Sequence, residues 1–429
     1  MPDAGDLIEI VTADEIITGR YVPQQDEDVL IIKLDSGYNI GIEKRKVTAI
    51  KVRERYQQPS RQAEKAVQRS GLPRISVLHT GGTIASRVDY ATGAVKAQFS
   101  PEELLQAFPE IGEIAQVSSR LVANIMSENV RFAHYNVLAK AVQKEIADGA
   151  AGIIVTHGTD TLHYSAAALS FVLEHLPVPV ILVGAQRSSD RGSSDAALNL
   201  LSAAYFITQQ PGFAEVAICM HENLDDEACL VIPGCKARKM HTSRRDAFRP
   251  VNAAPVARVS IKERRVEMLA GEYRGSGEGK LELRLFQDRI KVALLTAHPH
   301  MLEEEIAGLE RCDGVVIAGT GLGHIGISPD DISKENTKIG ELLQRLAKKA
   351  VVVMAPQAVY GRVNMDVYSV GRALQGYGIL PAEDMTPETA FIKLAWLLSN
   401  YPVEEAKLLM GKNLRGEITE RTEERAFLR

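Results

Sequence analysis

From Arg74 onward the chain alternates short apolar runs with longer segments whose apolar residues recur at helical spacing. This alternation restricts the fold more than any other feature. Residues 75–78, 152–155 and 178–183 are apolar runs of strand length, and residues 132–148, 164–175 and 195–208 carry the helical period. Strands without a polar side are covered on both faces, so the pattern predicts a mostly parallel sheet between two layers of helices. A further helix is expected over residues 101–108, with Ser100 as N-cap and Pro101 at the first helical position. Residues 271–279 are rich in glycine and charge and read as a crossover between lobes. The alternation then resumes at 291–295, 314–318 and 350–354, and a helix over 387–398 and a polar tail close the chain.

The first 56 residues follow a different rhythm. Short runs at 6–11, 15–22, 29–34, 38–42 and 47–52, with a turn at 35–37 and no helical period, predict a small SH3-like β-barrel. Such a barrel has no chemistry of its own. Residues 57–73 form a polar connector, and between Lys44 and Arg74 basic residues far outnumber acidic ones. A solvated linker and a local RNA or partner contact both fit that stretch. The expected organisation is a barrel at 1–56, a linker at 57–73, an α/β lobe at 74–270, a crossover at 271–290 and a second α/β lobe at 291–429. A length of 429 residues suits several cores rather than one.

Composition excludes several classes. The chain is 45% hydrophobic and 24% charged, which speaks against disorder or a fibre. A formal charge of −5 is not that of a nucleic-acid binder by bulk electrostatics. No apolar stretch is long enough for a membrane-spanning helix, and the acidic start lacks the features of a signal peptide. Cys219, Cys229, Cys235 and Cys312 are scattered, which fits buried thiols in a reducing cytoplasm better than a disulfide or zinc site.

Two threonine-bearing loops follow directly after buried strands: HTGGTIA at 79–85 and THGTDT at 156–161. Ligands of doubly wound sheets bind at the carboxyl ends of strands, where both loops fall. A threonine hydroxyl becomes a nucleophile when a lysine or tyrosine of lowered proton affinity takes its proton. Each motif alone has a structural explanation, as a Gly-Gly turn or as the start of the following helix. Together they favour a site. GLGHIG at 321–326 matches the spacing of a dinucleotide loop. That reading is rejected, because Ile327-Ser328-Pro329 interrupts the required helix and no acidic residue is placed for a ribose. Arg187 to Asp190 and Asp195 read as caps and loop anchors.

HTGGTIAS at 79–86 and THGTDTLHYSAAAL at 156–169 resemble the two threonine signatures of the bacterial-type asparaginases and glutaminases, and the likeness runs from Arg74 to the end. It implies a two-lobed asparaginase-type α/β fold, with Thr83 as nucleophile and Thr159, Asp160 and a lysine as proton relay. Lys239, in KMHTSRRDAF, matches the family lysine, with Lys236 three residues away as the rival. Ser127 and Glu128 stand where the family binds the substrate's carboxylate and amino ends. The family more commonly has glutamine at the second of these positions, so the departure bears on substrate choice. Tyr90 resembles the tyrosine of the family's lid, and an ordinary surface tyrosine also fits. The 321–326 loop implies a homodimer. The barrel, with residues 36–42, 238–248 and 416–424, resembles the D subunits of archaeal glutamyl-tRNA(Gln) amidotransferases over nearly the whole chain. That resemblance implies a cytoplasmic glutaminase subunit in a heterotetramer, taking glutamine or asparagine and passing ammonia to an E-type kinase and amidase partner. ATP, Mg and most tRNA contacts would belong to the partner, and this chain would need no cofactor or metal. The alternatives are a free-standing L-asparaginase and a catalytically silent scaffold on the same fold.

Overall fold

The computed structural model describes the chain except residues 1, 4, 24–27, 35–38, 57–70, 82–86, 89–94, 97–102, 105–106, 188–193, 272, 277–278, 422–423, 425–426 and 428–429. Half of the helix expected over residues 101–108 lies outside the described residues; Glu103, Leu104 and Ala107 are helical, and the Phe108 N–H donates to the Leu104 carbonyl at 2.8 Å.

The N-terminal strands β1 (Leu7–Thr12), β2 (Ile16–Val22), β3 (Val29–Lys33), β4 (Asn39–Glu43) and β5 (Val47–Glu54) form one antiparallel sheet, in the order β4-β3-β2-β1-β5. Among the described residues no ladder joins β4 to β5. Alternate residues of a strand face opposite sides, and Ile8, Ile10, Leu30, Ile32 and Ile42 share a small buried core.

The first lobe is an eight-stranded mixed sheet. Its parallel part consists of β6 (Arg74–His79), β7 (Gln116–Leu121), β8 (Gly152–Thr156), β9 (Val180–Val183) and β10 (Val216–His221), in the order β7-β6-β8-β9-β10. Helices α1 (Phe132–Ala147) and α2 (Leu162–Val172) cover one face, and α3 (Ala196–Gln209) covers the other. Ile153 and Val155 of β8 join the first core while Ile154 joins the second, the two-sided burial that makes such a strand apolar throughout. Beyond β10 the sheet turns antiparallel. The connection to β11 (Cys229–Pro233) is too short for a helical crossover, so β11 returns as a hairpin. Strands β12 (Ala237–Lys239) and β13 (Phe248–Pro250) form a separate two-stranded ribbon, and β14 (Ala257–Ser260) and β15 (Arg265–Met268) complete the sheet edge.

The second lobe is a parallel sheet in the order β16 (Val292–Thr296), β17 (Gly314–Gly319), β18 (Val351–Pro356) and β19 (Leu380–Pro381). Helix α4 (Asn336–Lys349) precedes β18, α5 (Ser369–Gly376) follows it, and α6 (Pro387–Asn400) runs between the lobes. Thr386 starts α6: its hydroxyl accepts the Thr389 N–H at 3.2 Å, with Pro387 at the first helical position. Trp396 of α6 shares one core with α2 and with Val316 and Val353 of the second sheet.

Two expectations need correction. The helix expected to reach residue 175 ends at Val172, because Leu173–Glu174 pairs with Glu282–Leu283 of the crossover, and His175 turns with φ 55°. The polar tail contains α7 (Val403–Met410), and Glu417 is fully buried against Lys393. Among the described residues, no helix is long and apolar enough to cross a membrane.

Candidate active site

The second threonine loop leaves the carboxyl end of β8 and enters α2. Its backbone is held from both sides. The His157 N–H donates to the Val183 carbonyl at 2.9 Å, and the His157 ring bonds the Gly158 carbonyl at 2.7 Å and Ser165 Oγ at 2.8 Å. Burial of that ring lowers its pKa, which keeps it neutral. The first loop is tied to the second: Thr80 donates to the Thr156 carbonyl through its N–H (3.1 Å) and its hydroxyl (3.0 Å). Gly81 follows with φ +105°, and a Cβ there would lie 2.5 Å from the Ile125 carbonyl oxygen, so this turn takes glycine. Thr83 and Tyr90 lie outside the described residues.

Thr159, Asp160 and Lys239 come together. Lys239 Nζ donates to Thr159 Oγ1 at 2.9 Å and to Asp160 Oδ1 at 2.7 Å. The lysine side chain is 10% exposed and the aspartate 67%, so a partly dry amine is fixed by a wet carboxylate. Lys236 has a different place. It is buried, and its Nζ meets Asp384 Oδ2 at 2.7 Å in the seam between the lobes. Burial lowers its pKa, with Asp384 opposing that effect.

Ser127 opens a short helical turn, is buried, and accepts the Thr161 hydroxyl on its carbonyl at 2.7 Å. A Cβ on Gly158 would lie 2.8 Å from Ser127 Cβ, so these two segments touch because the glycine has no side chain. Glu128 is exposed beside it.

Gln186, missed from sequence, and the loop anchor Asp195 complete the surroundings. The Thr159 hydroxyl donates to Gln186 Oε1 at 3.5 Å. Asp195 takes the N–H groups of Gln186 and Arg187, both at 3.0 Å, and Asn199 Nδ2 at 3.3 Å. Asp195 is thus an anchor of this loop and caps no N–H of α3. Ser188, Ser189 and Asp190 lie outside the described residues. A polar residue three positions after an apolar strand, with a buried aspartate nine further on, is the signal that was available for Gln186. His163 faces Tyr164 and Phe248. In GLGHIG, Thr320 and His324 exchange backbone hydrogen bonds of 2.8 and 2.9 Å in a tight turn, and α4 begins only at Asn336, so no helix N-terminus follows the glycines. Among the described residues no group of three His, Cys, Asp or Glu converges as metal ligands.

A hydroxyl held by an amine, itself held by a carboxylate, at the end of a parallel strand is an arrangement able to pass a proton. Comparison with known proteins places it in a family. The profile of the asparaginase N-terminal domain matches residues 74–272, that of the glutaminase/asparaginase C-terminal domain matches 291–408, and that of the GatD N-terminal domain matches 3–52. Among solved structures, the thermostable L-asparaginase of Thermococcus kodakarensis superposes with a TM-score of 0.71 at 30% identity, covering 81% of this chain and 100% of that one. L-asparaginase I of Vibrio cholerae gives 0.68 at 26% identity, over 81% and 99%. The fold is therefore that of the asparaginases. The D subunit of the Pyrococcus abyssi glutamyl-tRNA(Gln) amidotransferase is 43% identical over 100% of this chain and 97% of its own, and that of Archaeoglobus fulgidus is 44% identical over 98% and 96%. The chain belongs to the family of glutamyl-tRNA(Gln) amidotransferase D subunits.

Proposed function

We propose that this chain is the glutaminase subunit of a tRNA-dependent amidotransferase, releasing ammonia for the conversion of glutamyl-tRNA(Gln) to glutaminyl-tRNA(Gln). The observation that carries the reading is the hydrogen-bonded line Asp160–Lys239–Thr159 at the end of β8, in a chain alike from end to end to the named D subunits. In this reading Thr83 Oγ attacks the side-chain carboxamide carbon, and its proton passes through Thr159 to Lys239. Backbone N–H groups of the threonine loops hold the oxyanion. The relay returns the proton to the leaving nitrogen, ammonia departs, and water attacks the acyl-threonine to release the acid. Asp160 orients Lys239 or meets the substrate's ammonium, while Ser127, Glu128 and Tyr90 bind the amino-acid end and close over it. An E-type partner would hold ATP, Mg and most of the tRNA, and a homodimer of this chain in the cytoplasm would complete the assembly.

A free-standing L-asparaginase is the second reading, favoured by complete coverage of the Thermococcus kodakarensis enzyme. The deciding assay is ammonia release from glutamine and from asparagine, with the chain alone and with its partner and charged tRNA. Release from glutamine that Thr83→Ala and Thr159→Val abolish is the expected result. Partner-free turnover of asparagine with little of glutamine would overturn the first reading for the second. No release under any condition would leave only a silent scaffold.

A further inference from the structure

Lys236 and Lys239 are three residues apart and serve opposite sides of the molecule. Lys239 reaches Thr159 and Asp160 in the first lobe. The segment that carries it is bonded to the second lobe. The Cys235 carbonyl accepts the Thr389 hydroxyl at 3.0 Å, Lys236 Nζ meets Asp384 Oδ2 at 2.7 Å, and an Arg238 guanidinium nitrogen meets Glu388 Oε1 at 2.9 Å. Strand β12 pairs only with β13 of the same lobe, so among the described residues no ladder ties the lysine strand to the main sheet.

The C-terminal tail closes this contact. The Thr419 N–H donates to Asp384 Oδ1 at 2.9 Å, and its hydroxyl donates to the Asn252 carbonyl at 2.9 Å. Asn252 Nδ2 donates to the Asp384 carbonyl at 3.1 Å, and the Val251 N–H to the Lys236 carbonyl at 2.7 Å. Thr419 lies beyond the residues, 291–408, that the C-terminal domain profile matches.

We propose that residues 384–389 of the second lobe, strapped by Thr419, are the platform that positions Lys239, with Lys236 and Arg238 as positioning residues. The inference rests on the reading of Lys239 as the relay base. Three extended residues span about 10 Å, so the anchor at Lys236 and the working amine are the two ends of a short hydrogen-bonded ribbon. A displacement of the second lobe or the tail is transmitted along it to hydrogen bonds of 2.7 and 2.9 Å, which weaken over a few tenths of an ångström. Partner contacts on that lobe or tail then change turnover without touching substrate.

The test uses the full-length chain, with its partner where turnover requires one. Lys236→Met/Asp384→Leu removes both charges, so that neither is left buried alone. Glu388→Gln removes the charge opposite Arg238 at constant size. The readouts are kcat, KM, the thermal midpoint and the rate of Lys239 acetylation by acetic anhydride, followed by mass spectrometry. The expected result for a folded double variant is a kcat lowered about tenfold with KM changed less than about twofold. Lys239 is then acetylated several-fold faster than in the wild type, where its side chain is 10% exposed. Glu388→Gln moves both readouts in the same direction by a smaller factor, and decides the matter if the double variant does not fold. Wild-type kcat and wild-type labelling in a folded variant overturn the proposal. A labelling contrast in a protein that releases no ammonia keeps the platform and sinks the functional reading instead.

Discussion

Two buried histidines beside the threonine loops set an acid limit on the fold. His163 on α2 packs against Tyr164 and Phe248, and its Nδ1 finds no hydrogen-bond partner among the described residues. Burial, with repulsion from Arg238 and Lys239, holds its pKa down to about 3. His79 at the end of β6 bonds Thr156 Oγ1 and Ser119 Oγ, both at 2.8 Å, and burial lowers its pKa to about 4. Both values lie below the ordinary 6.5, so the unfolded chain binds more protons as pH falls. The contribution is fully present above pH 6.5 and is lost progressively down to the folded values. At about pH 4.5 each histidine costs roughly 2–3 kcal/mol, taking about 1.4 kcal/mol per tenfold change in proton affinity, or about 5 kcal/mol together. That is a large part of the roughly 5–15 kcal/mol that holds a typical domain. Urea unfolding at about pH 7 and about pH 4.5, followed by the fluorescence of Trp396, measures it. This single tryptophan is 1% exposed in the core that α2 shares. His163→Gln is expected to remove about half of what these two rings contribute, while His157, whose pKa burial also lowers, adds in the same direction. Equal stability at the two pH values would refute the assignment of both rings as buried and neutral.

Two further perturbations follow from packing. Lys393 and Glu417 are both fully buried, and the ammonium also donates to the Met410 carbonyl at 2.9 Å. Glu417→Gln leaves that ammonium without its counter-charge and is expected to cost about 3–5 kcal/mol in thermal or urea unfolding. A loss below about 1 kcal/mol would show that the tail carries little of the fold's stability. Gly81→Ala places a Cβ 2.5 Å from the Ile125 carbonyl oxygen at φ +105°. It is expected to cost about 1–2 kcal/mol from the backbone conformation alone and to lower turnover by shifting the first threonine loop. Wild-type stability and turnover in this variant would refute that close approach.

The parallel part of the first sheet was legible because strands such as β8 are buried on both faces and are apolar throughout. The same rule failed where charge is buried. Lys393 and Glu417 lower the hydropathy of the segments that hold them, so the tail read only as polar. Their mutual pairing is a contact between positions 24 residues apart that no local window contains. The end of α2 was missed for a related reason: the helical period continues through residue 175, and only pairing with a strand more than a hundred residues later ends the helix at Val172.

The candidate site divides the same way. Thr159 and Asp160 announce themselves because a strand end and a glycine turn are local properties. Lys239 does not, because a lysine's use is set by what stands opposite its Nζ. Sequence left Lys236 and Lys239 as rivals three residues apart. The fold separates them by giving Lys236 a buried carboxylate in the other lobe and Lys239 a hydroxyl and a half-wet carboxylate in its own. A lysine locked into a buried ion pair holds structure in place. A lysine whose carboxylate partner is 67% exposed keeps a route to water and substrate, which a relay requires. In the proposed function the two lysines are complementary: the buried pair at Lys236 holds the strand from which Lys239 works.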